Sequence, residues 1–491
     1  MEVNHKKIHA ILVWIAYGFF GFFSIAYCYD HSTKFIFMAM IWFWIASLLY
    51  FALDMKRYLI IFFFFLTMCM FLFSRPLIEY IYLKSFNTYN SNTYQFSFFV
   101  LILSMAGLVI GGIIGKHFQF KRKKENIEEF DGIKYEAHVK SVRIVSLLVF
   151  LASYPFYVLR LVERYMYRRN TTYYEYYASF HSELPYIVYL ISVFMFFSMC
   201  VYLATKPSKK QSNFVTVLYI MANTIYLLIG TRNPFILSLL FCVTYYCMRH
   251  FQDKKEVWIG SIEKFLGIVA APIIVVAMGI LNYVRDDVSV AGKNILEVML
   301  DFVYKQGTSF GVLAKGYMYE CYLPVRRFRN YVFGPIIDYV YHGSLGNTFF
   351  GTSPLPETNS LELAYNSNSY AHNLSYAILG QGYLDGHGVG SSFVMETYMD
   401  YRFIGVILFS FILGFILVYM MKAAYQKSIL LFALSLVVLE NIFFTPRASY
   451  LSSFFSLFTM QFWVVLIIIF AAAGMLEKFM LHKKMEEYKN V

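Results

Sequence analysis

The chain has 491 residues, 59% of them hydrophobic and only 15% charged, with a formal net charge of +12. No soluble domain can bury that much apolar surface, so the sequence describes a multi-pass membrane protein. The positive balance belongs mostly to the loops on one membrane face, which argues against a nucleic-acid footprint.

Apolar runs of spanning length lie at roughly 9–29, 34–53, 58–74, 95–115, 144–161, 185–205, 213–230, 234–249, 265–284, 403–421, 428–446 and 451–475. At a rise of about 1.5 Å per residue each can cross a hydrocarbon core of about 30 Å. The first run follows His5-Lys6-Lys7 but is too long for a signal-peptide core and has no small-x-small cleavage site, so it reads as a retained helix. Basic clusters at Lys56-Arg57, Lys121 to Lys124, Lys206 to Lys210, Arg249 to Lys264, Lys422 to Lys427 and Lys478 to Lys489 alternate onto one face. Both termini are therefore expected in the cytoplasm. The expected architecture is all-α and polytopic, with about 12 transmembrane helices. Residues 1–284 hold nine of them, residues 285–402 form one large extracytoplasmic connection with interfacial helices, and residues 403–491 hold three more and a cytoplasmic tail.

Arginine and lysine partition differently across this topology. Of 26 lysines 21 fall on the cytoplasmic side, whereas 12 of 16 arginines fall on the opposite side. The orienting bias keeps positive charge inside, so arginines held outside need another reason. A multiply charged anion supplies one, because the planar guanidinium binds phosphate bidentately and stays charged. Gly230-Thr231-Arg232-Asn233-Pro234 reads as a tight outer turn that opens a helix and holds Arg232 near the hydrocarbon edge. Arg164, Arg168 and Arg169 follow the fifth run, Arg285 ends the ninth, Arg326, Arg327 and Arg329 lie in the long connection, and Arg447 ends the eleventh. Each could equally anchor a helix end by snorkelling to headgroups, a reading less suited to the set, since lysine also snorkels and is scarce there.

The long connection divides by composition. Asn294 to Tyr341 has apolar residues at helical spacing and reads as interfacial helices. Gly343 to Asn373, rich in Ser, Asn, Thr, Pro and Gly, reads as loop. Gly380 to Gly390 is glycine-dense and lacks the Lys-Ser/Thr pair of a nucleotide loop. Gly388, Gly390 and Ser391 can bring bare backbone N–H groups to an anion at a helix start, or simply form a turn. Glu396, one turn on, is a candidate base or a helix cap. Of the outer histidines His31, His181, His342, His372 and His387, His372 lies apart from any basic run, where a neutral imidazole could accept a hydroxyl proton or serve structurally. Tyrosines 165, 167, 173, 174, 176 and 177 could stack on sugars or form an interfacial belt. Five of six cysteines lie in or beside helices and only Cys321 in an outer loop, giving neither a disulfide framework nor metal-ligand spacing. No inverted repeat is evident, and ionisable residues within the spans are sparse, Glu440 being the clearest, which favours an enzyme over a carrier.

The turn Gly230-Thr231-Arg232, the loop end Gly388-Val389-Gly390-Ser391-Ser392-Phe393-Val394-Met395-Glu396, and Tyr401-Arg402-Phe403-Ile404-Gly405 just before a membrane helix together resemble the Wzy family of O-antigen and capsular polysaccharide repeat-unit polymerases. O-antigen ligases share the general plan, and a non-enzymatic flippase or exporter of lipid-linked glycans is a further alternative. The resemblance implies a glycosyltransferase of the bacterial cytoplasmic membrane that needs neither metal nor cofactor. Its donor and acceptor would be undecaprenyl-pyrophosphate-linked oligosaccharides, with a chain-length co-polymerase as a further partner. It also implies that Arg232 contacts the pyrophosphate and that outer-loop arginines and a loop histidine, assigned to His372, complete the site; deprotonating the acceptor hydroxyl is work suited to His372 or Glu396. At Arg402 relatives often carry glycine.

Overall fold

The computed structural model describes residues 2–118, 129–172, 175–176, 179–253, 255–285, 292, 294–325 and 329–489. Among them are helices and turns but no strand. In chain order the longer helices are α1 (Glu2–Asp30), α2 (Thr33–Ala52), α3 (Met55–Met68), α4 (Ser74–Leu83), α5 (Ser91–His117), α6 (Glu129–Arg169), α7 (Tyr186–Ala204), α8 (Lys209–Ile229), α9 (Asn233–Gln252) and α10 (Ser261–Arg285). The long connection carries α11 (Ile295–Gln306), α12 (Phe310–Met318), α13 (Gly334–Tyr341), α14 (Ser344–Phe350), α15 (Leu361–Asn366), α16 (Tyr370–Leu379) and α17 (Gln381–Leu384). It leads into α18 (Phe393–Tyr425), α19 (Ile429–Ile442) and α20 (Met460–Lys489). Among the described residues 11 helices are long and apolar enough to cross a membrane, the run Met55–Leu83 counting once. The protein is thus an all-helical polytopic membrane protein.

Helix ends fall where their chemistry puts them. The Asn90 side chain accepts the Thr93 N–H at 2.8 Å to open α5, and Asn294 accepts the Glu297 N–H at 2.8 Å to open α11. Gly230, at φ +93°, closes α8 in the left-handed region, and Pro234 sits in the first turn of α9.

The centre of the bundle is the crossing of α5 and α18. Gly107, Gly111 and Gly115 line one face of α5, and Gly414 answers from α18. A Cβ on Gly111 would lie 2.0 Å from the Phe411 carbonyl oxygen, and one on Gly414 would lie 2.2 Å from that of Leu108. Ser104 and Ser410 share a hydrogen bond of 2.9 Å inside the same seam. Small residues at four-residue spacing are what lets two backbones approach this closely in lipid, where packing rather than water expulsion drives helix association.

Four local features differ from the sequence expectation. The eleventh run yields α19, only 14 residues long, or about 21 Å, too short to cross alone. The twelfth starts at Met460 and not at residue 451, because Leu451 to Thr459 forms turns and a short 3-10 helix, with Ser453 and Phe454 buried. The stretch Gly343 to Asn373 folds into α14, α15 and the start of α16, so His372 stands on a helix and not in a loop. Ser360 explains part of that order, since its side chain accepts the Leu363 N–H at 3.1 Å and caps α15.

The fourth feature is a break inside α18. Arg402 has φ +55° and ψ −152°, a region that favours glycine, so the helix divides into Phe393 to Asp400 and a membrane part from Phe403. The Arg402 guanidinium meets the Glu320 carboxylate at 2.5 Å and lies 5.3 Å from the Tyr398 ring. That pairing offsets the backbone strain where a glycine would have none.

Replacing Gly111 by alanine is expected to push α5 and α18 apart and destabilise the bundle by about 1–3 kcal/mol. Thermal unfolding in detergent checks this. Gly18→Ala on α1 is the control, since a Cβ at that position would meet no atom within 4 Å.

Candidate active site

Between α3, α9, α10 and α11 lies a cavity of about 300 Å³. Met70 and Phe71 form one wall, Ile236, Leu240 and Val243 of α9 a second, and Ala271, Val275 and Met278 of α10 a third. Phe302 and Gln306 of α11, with Phe443 and Phe444 after α19, complete it. Met70 and Phe71 belong to a π-helical turn, Cys69–Phe73, that joins α3 to α4. Such turns insert a residue into the helical register and re-aim the side chains on one face.

Arg232 is the charged residue that lines this mostly apolar space. The turn that carries it is fixed by Gly230 and by the Thr231 N–H, which donates to the Tyr226 carbonyl at 2.9 Å. The guanidinium donates to the Met278 carbonyl at 3.3 Å and lies 6.0 Å from the Phe302 ring centroid. Arg447, in the chain after α19, touches two of the residues that line it: its guanidinium donates to Gln306 Oε1 at 3.5 Å and sits 5.9 Å from the Phe71 ring. Arg232 thus lines the cavity, and Arg447, far from it in sequence, contacts two residues of its wall.

The segment that carries Arg447 is held by Glu396. This carboxylate is 1% exposed. It accepts the Ser391 hydroxyl at 2.6 Å on one oxygen, and the Ser449 hydroxyl and Tyr450 N–H, each at 2.9 Å, on the other. With three donors on it, Glu396 braces two chain segments. Ser391, expected as an anion contact, is the partner that starts this brace.

The glycine stretch docks elsewhere. The Val389 N–H, between Gly388 and Gly390, donates to the Ser375 hydroxyl at 3.0 Å, which ties the stretch to α16. One turn earlier on α16, His372 Nδ1 lies 3.0 Å from the Tyr383 hydroxyl. Burial pushes the Tyr383 phenol up to about 12 and keeps His372 below the ordinary imidazole value of 6.5. The ring is therefore neutral at neutral pH and able to take a proton. His372 and Glu396 do not line the cavity that holds Arg232; contacts run from α16 through the glycine stretch to Glu396 and on to Ser449 and Tyr450, beside Arg447 in the chain.

The remaining arginines separate. Arg329 donates to the Pro324 carbonyl at 2.7 Å and lies 4.6 Å from the Tyr331 ring. Arg164 and Arg168 lie on the last turns of α6, and Arg169 beside them is exposed. Arg326 and Arg327 lie outside the described residues, as does the side chain of Arg285. Sequence reasoning passed over Gln306 and Arg75. Arg75 lies 4.8 Å from the Tyr304 ring, and Gly307 packs so closely that a Cβ there would be 2.6 Å from the Arg75 Cβ. The signal for Arg75 was available, as an arginine followed by Pro76 in an apolar run. Gln306 gave none.

Glu396→Ala leaves the buried Ser391 hydroxyl and Tyr450 N–H unsatisfied, at roughly 1–3 kcal/mol each, and is expected to lower the unfolding temperature and the activity together. Glu396→Gln keeps one carbonyl acceptor and is expected to retain part of both. Unchanged stability with abolished activity in Glu396→Gln would instead assign proton transfer to this carboxylate. For His372 the folded value lies below 6.5, so the unfolded chain binds more protons as pH falls. Its contribution to stability is complete above that value and declines through and below it. His372→Gln is expected to flatten the drop in unfolding temperature between about pH 7.5 and about pH 5.5.

Comparison with known proteins follows the same direction. Neither the curated proteins nor the solved structures contain a match to this chain. The family described as O-antigen polysaccharide polymerase Wzy matches residues 8–479, nearly the whole length. The chain is therefore a member of the O-antigen polysaccharide polymerase Wzy family.

Proposed function

We propose that this protein joins polyprenyl-pyrophosphate-linked oligosaccharide repeat units at the extracytoplasmic face of the membrane, with the donor diphosphate held by Arg232 and Arg447. The observation that carries the reading is the cavity of about 300 Å³, mostly apolar and lined by the Arg232 guanidinium, with Arg447 in contact with Gln306 of its wall. A polyprenyl diphosphate has the matching form, an apolar chain ending in a dense negative charge. A space of this size takes the phosphate-proximal isoprene units and leaves the rest of the tail to the bilayer. One of its walls is the apolar helix Ser261–Tyr283, most of which is not buried within the protein.

In the transfer the acceptor hydroxyl oxygen bonds to the donor anomeric carbon as the bond from that carbon to the phosphate oxygen breaks. The electron pair leaves with the polyprenyl diphosphate, and the hydroxyl proton passes to a base. Direct displacement of this kind inverts the anomeric centre. Charge grows on the leaving diphosphate, and guanidinium groups fixed in a cleft with little water stabilise it with little reorganisation. On this reading the arginines do the work that a metal ion does in other diphosphate sites. Neutral His372, on the helix tied to the glycine stretch, is the proposed proton acceptor, and the acceptor sugar would lie along α16 and α17. Glu396 acts through Arg447 by fixing the segment that carries it.

Arg232→Lys keeps the charge but loses the fork, and one such donor is worth on the order of 3 kcal/mol, or about a hundredfold in rate. Purified variant and wild type, each incubated with one defined polyprenyl-pyrophosphate oligosaccharide, are compared by the ladder of products on a gel. The expected result is near loss of the ladder at equal protein level; a ladder of wild-type length and rate contradicts the assignment.

A further inference from the structure

The end of the bundle opposite the Arg232 turn carries a recess that the proposed reaction does not use. A groove of about 440 Å³ runs along the start of α6, lined by Tyr135, Val139, Lys140, Arg143 and Ile144, with Gln211 from the first turn of α8. These α6 positions recur at three- and four-residue spacing and so share one face of the helix. Helix α8 runs 21 residues from this end to the turn of Gly230, which sets the groove about 30 Å from Arg232. Ile144 opens the apolar run of α6, and the cations Lys140 and Arg143 precede it. The groove therefore straddles the boundary between headgroups and hydrocarbon.

Its cations are held in place and short of acids. Arg143 is half-buried, and its Nε donates to the Thr205 hydroxyl at 3.1 Å while Nη2 donates to the Thr205 carbonyl at 2.8 Å. The Tyr135 hydroxyl donates to the Lys427 carbonyl at 3.0 Å, and the Lys427 ammonium lies 5.5 Å from the Tyr135 ring, which brings a third cation to the rim. Lys206, next to Thr205, donates to the Gln426 carbonyl at 2.9 Å. Burial, then the nearby Arg249 guanidinium, lower its ammonium to about 8. Arg249 meets Asp253 at 3.5 Å, yet its Nε is buried with no partner among the described residues. Glu136 also lines the groove. Among the described residues no carboxylate pairs with Lys140, Arg143, Lys206 or Lys427. Cations gathered this way repel one another, and partial burial raises the cost. A bound anion removes that cost.

The apolar part of the groove gives the anion its identity. A soluble anion would need the cations alone, whereas Val139 and Ile144 add an apolar wall beside them. A ligand that matches both parts has a phosphate joined to an acyl chain, and basic pockets between membrane helices select anionic headgroups on this ground. We propose that the groove binds one anionic phospholipid, with its phosphate on Arg143 and Lys140 and one acyl chain against Val139 and Ile144. Through Arg143 and Thr205 the lipid ties the start of α6 to the connection between α7 and α8. The site is separate from the Arg232 cavity and does not depend on the polymerase reading.

Phosphatidylglycerol is the probe, titrated into the delipidated full chain in uncharged detergent with stoichiometry and affinity read by native mass spectrometry. Wild type is expected to hold one equivalent about tenfold more tightly than phosphatidylcholine of the same acyl chains, and Lys140→Gln and Arg143→Gln are each expected to weaken that equivalent about tenfold by loss of a charge-assisted contact. Lys264→Gln, at an exposed position near the start of α10 on the same membrane face, is expected to leave it unchanged. Should Arg143→Gln fail to fold, Val139→Trp serves, because it fills the groove and removes no charge; loss of the tight equivalent is again the expected result. Equal weakening in Lys264→Gln and Lys140→Gln assigns the binding to diffuse surface charge and overturns the site. Equal affinity for phosphatidylcholine overturns the anion recognition. Displacement of phosphatidylglycerol by glycerol 3-phosphate at equal concentration makes the acyl chain irrelevant and assigns the groove to a soluble phosphate, which refutes the lipid.

Discussion

A membrane interior contains no water to satisfy free backbone groups, so irregular chain survives at depth only where protein supplies the partners. The stretch from Phe443 to Thr459, between the short α19 and α20, is the place where this constraint bites. The Glu396 carboxylate takes the Tyr450 N–H, Thr445 and Ser453 bond to each other at 2.5 Å, and the Tyr450 hydroxyl donates to the Phe409 carbonyl at 3.0 Å. Those bonds stabilise the break. The break in turn sets Phe443 and Phe444 in the cavity wall and aims Arg447 at Gln306.

The same pattern holds on the facing wall. A π-helical turn displaces Met70 and Phe71 toward the cavity, and Gly307 lets α11 close against Ser74 and Arg75. Ser74 donates to the Val303 carbonyl at 3.2 Å and pins that contact. Departures from regular helix therefore cluster around one cleft, while the glycine seam of α5 and α18 keeps the rest of the bundle rigid. Such a division suits chemistry in which positioning and fixed charge do most of the work.

Much of this was legible in the sequence, and the exceptions have physical causes. Spans announce themselves by composition, so the helices up to α10 match the apolar runs closely. Residues 451 to 459 are as apolar as a span because they are buried in protein, and hydropathy does not separate that from burial in lipid. Ser, Asn and Gly in residues 343 to 373 look like loop, yet they cap and space short helices whose packing partners are far away in sequence. Arg232 could be singled out because its turn is local: Gly230, Asn233 and Pro234 surround it. Glu396 was visible only as an acid near a helix start. Its role depends on Ser449 and Tyr450, more than fifty residues later, and no local pattern reports that. At Arg402, where the family resemblance already pointed to glycine, the backbone φ of +55° gives the reason.

The central claim is that the apolar cleft beside Arg232 receives the prenyl end of a diphosphate lipid. Photo-crosslinking with a prenyl diphosphate carrying a diazirine on its first isoprene unit, followed by peptide mapping, tests it directly. Labelling of Met70, Ile236 to Val243 and Ala271 to Met278, suppressed by unlabelled prenyl diphosphate, is the predicted result. Label confined to the lipid-facing helix α1 or α20, or spread without competition around the bundle, contradicts it.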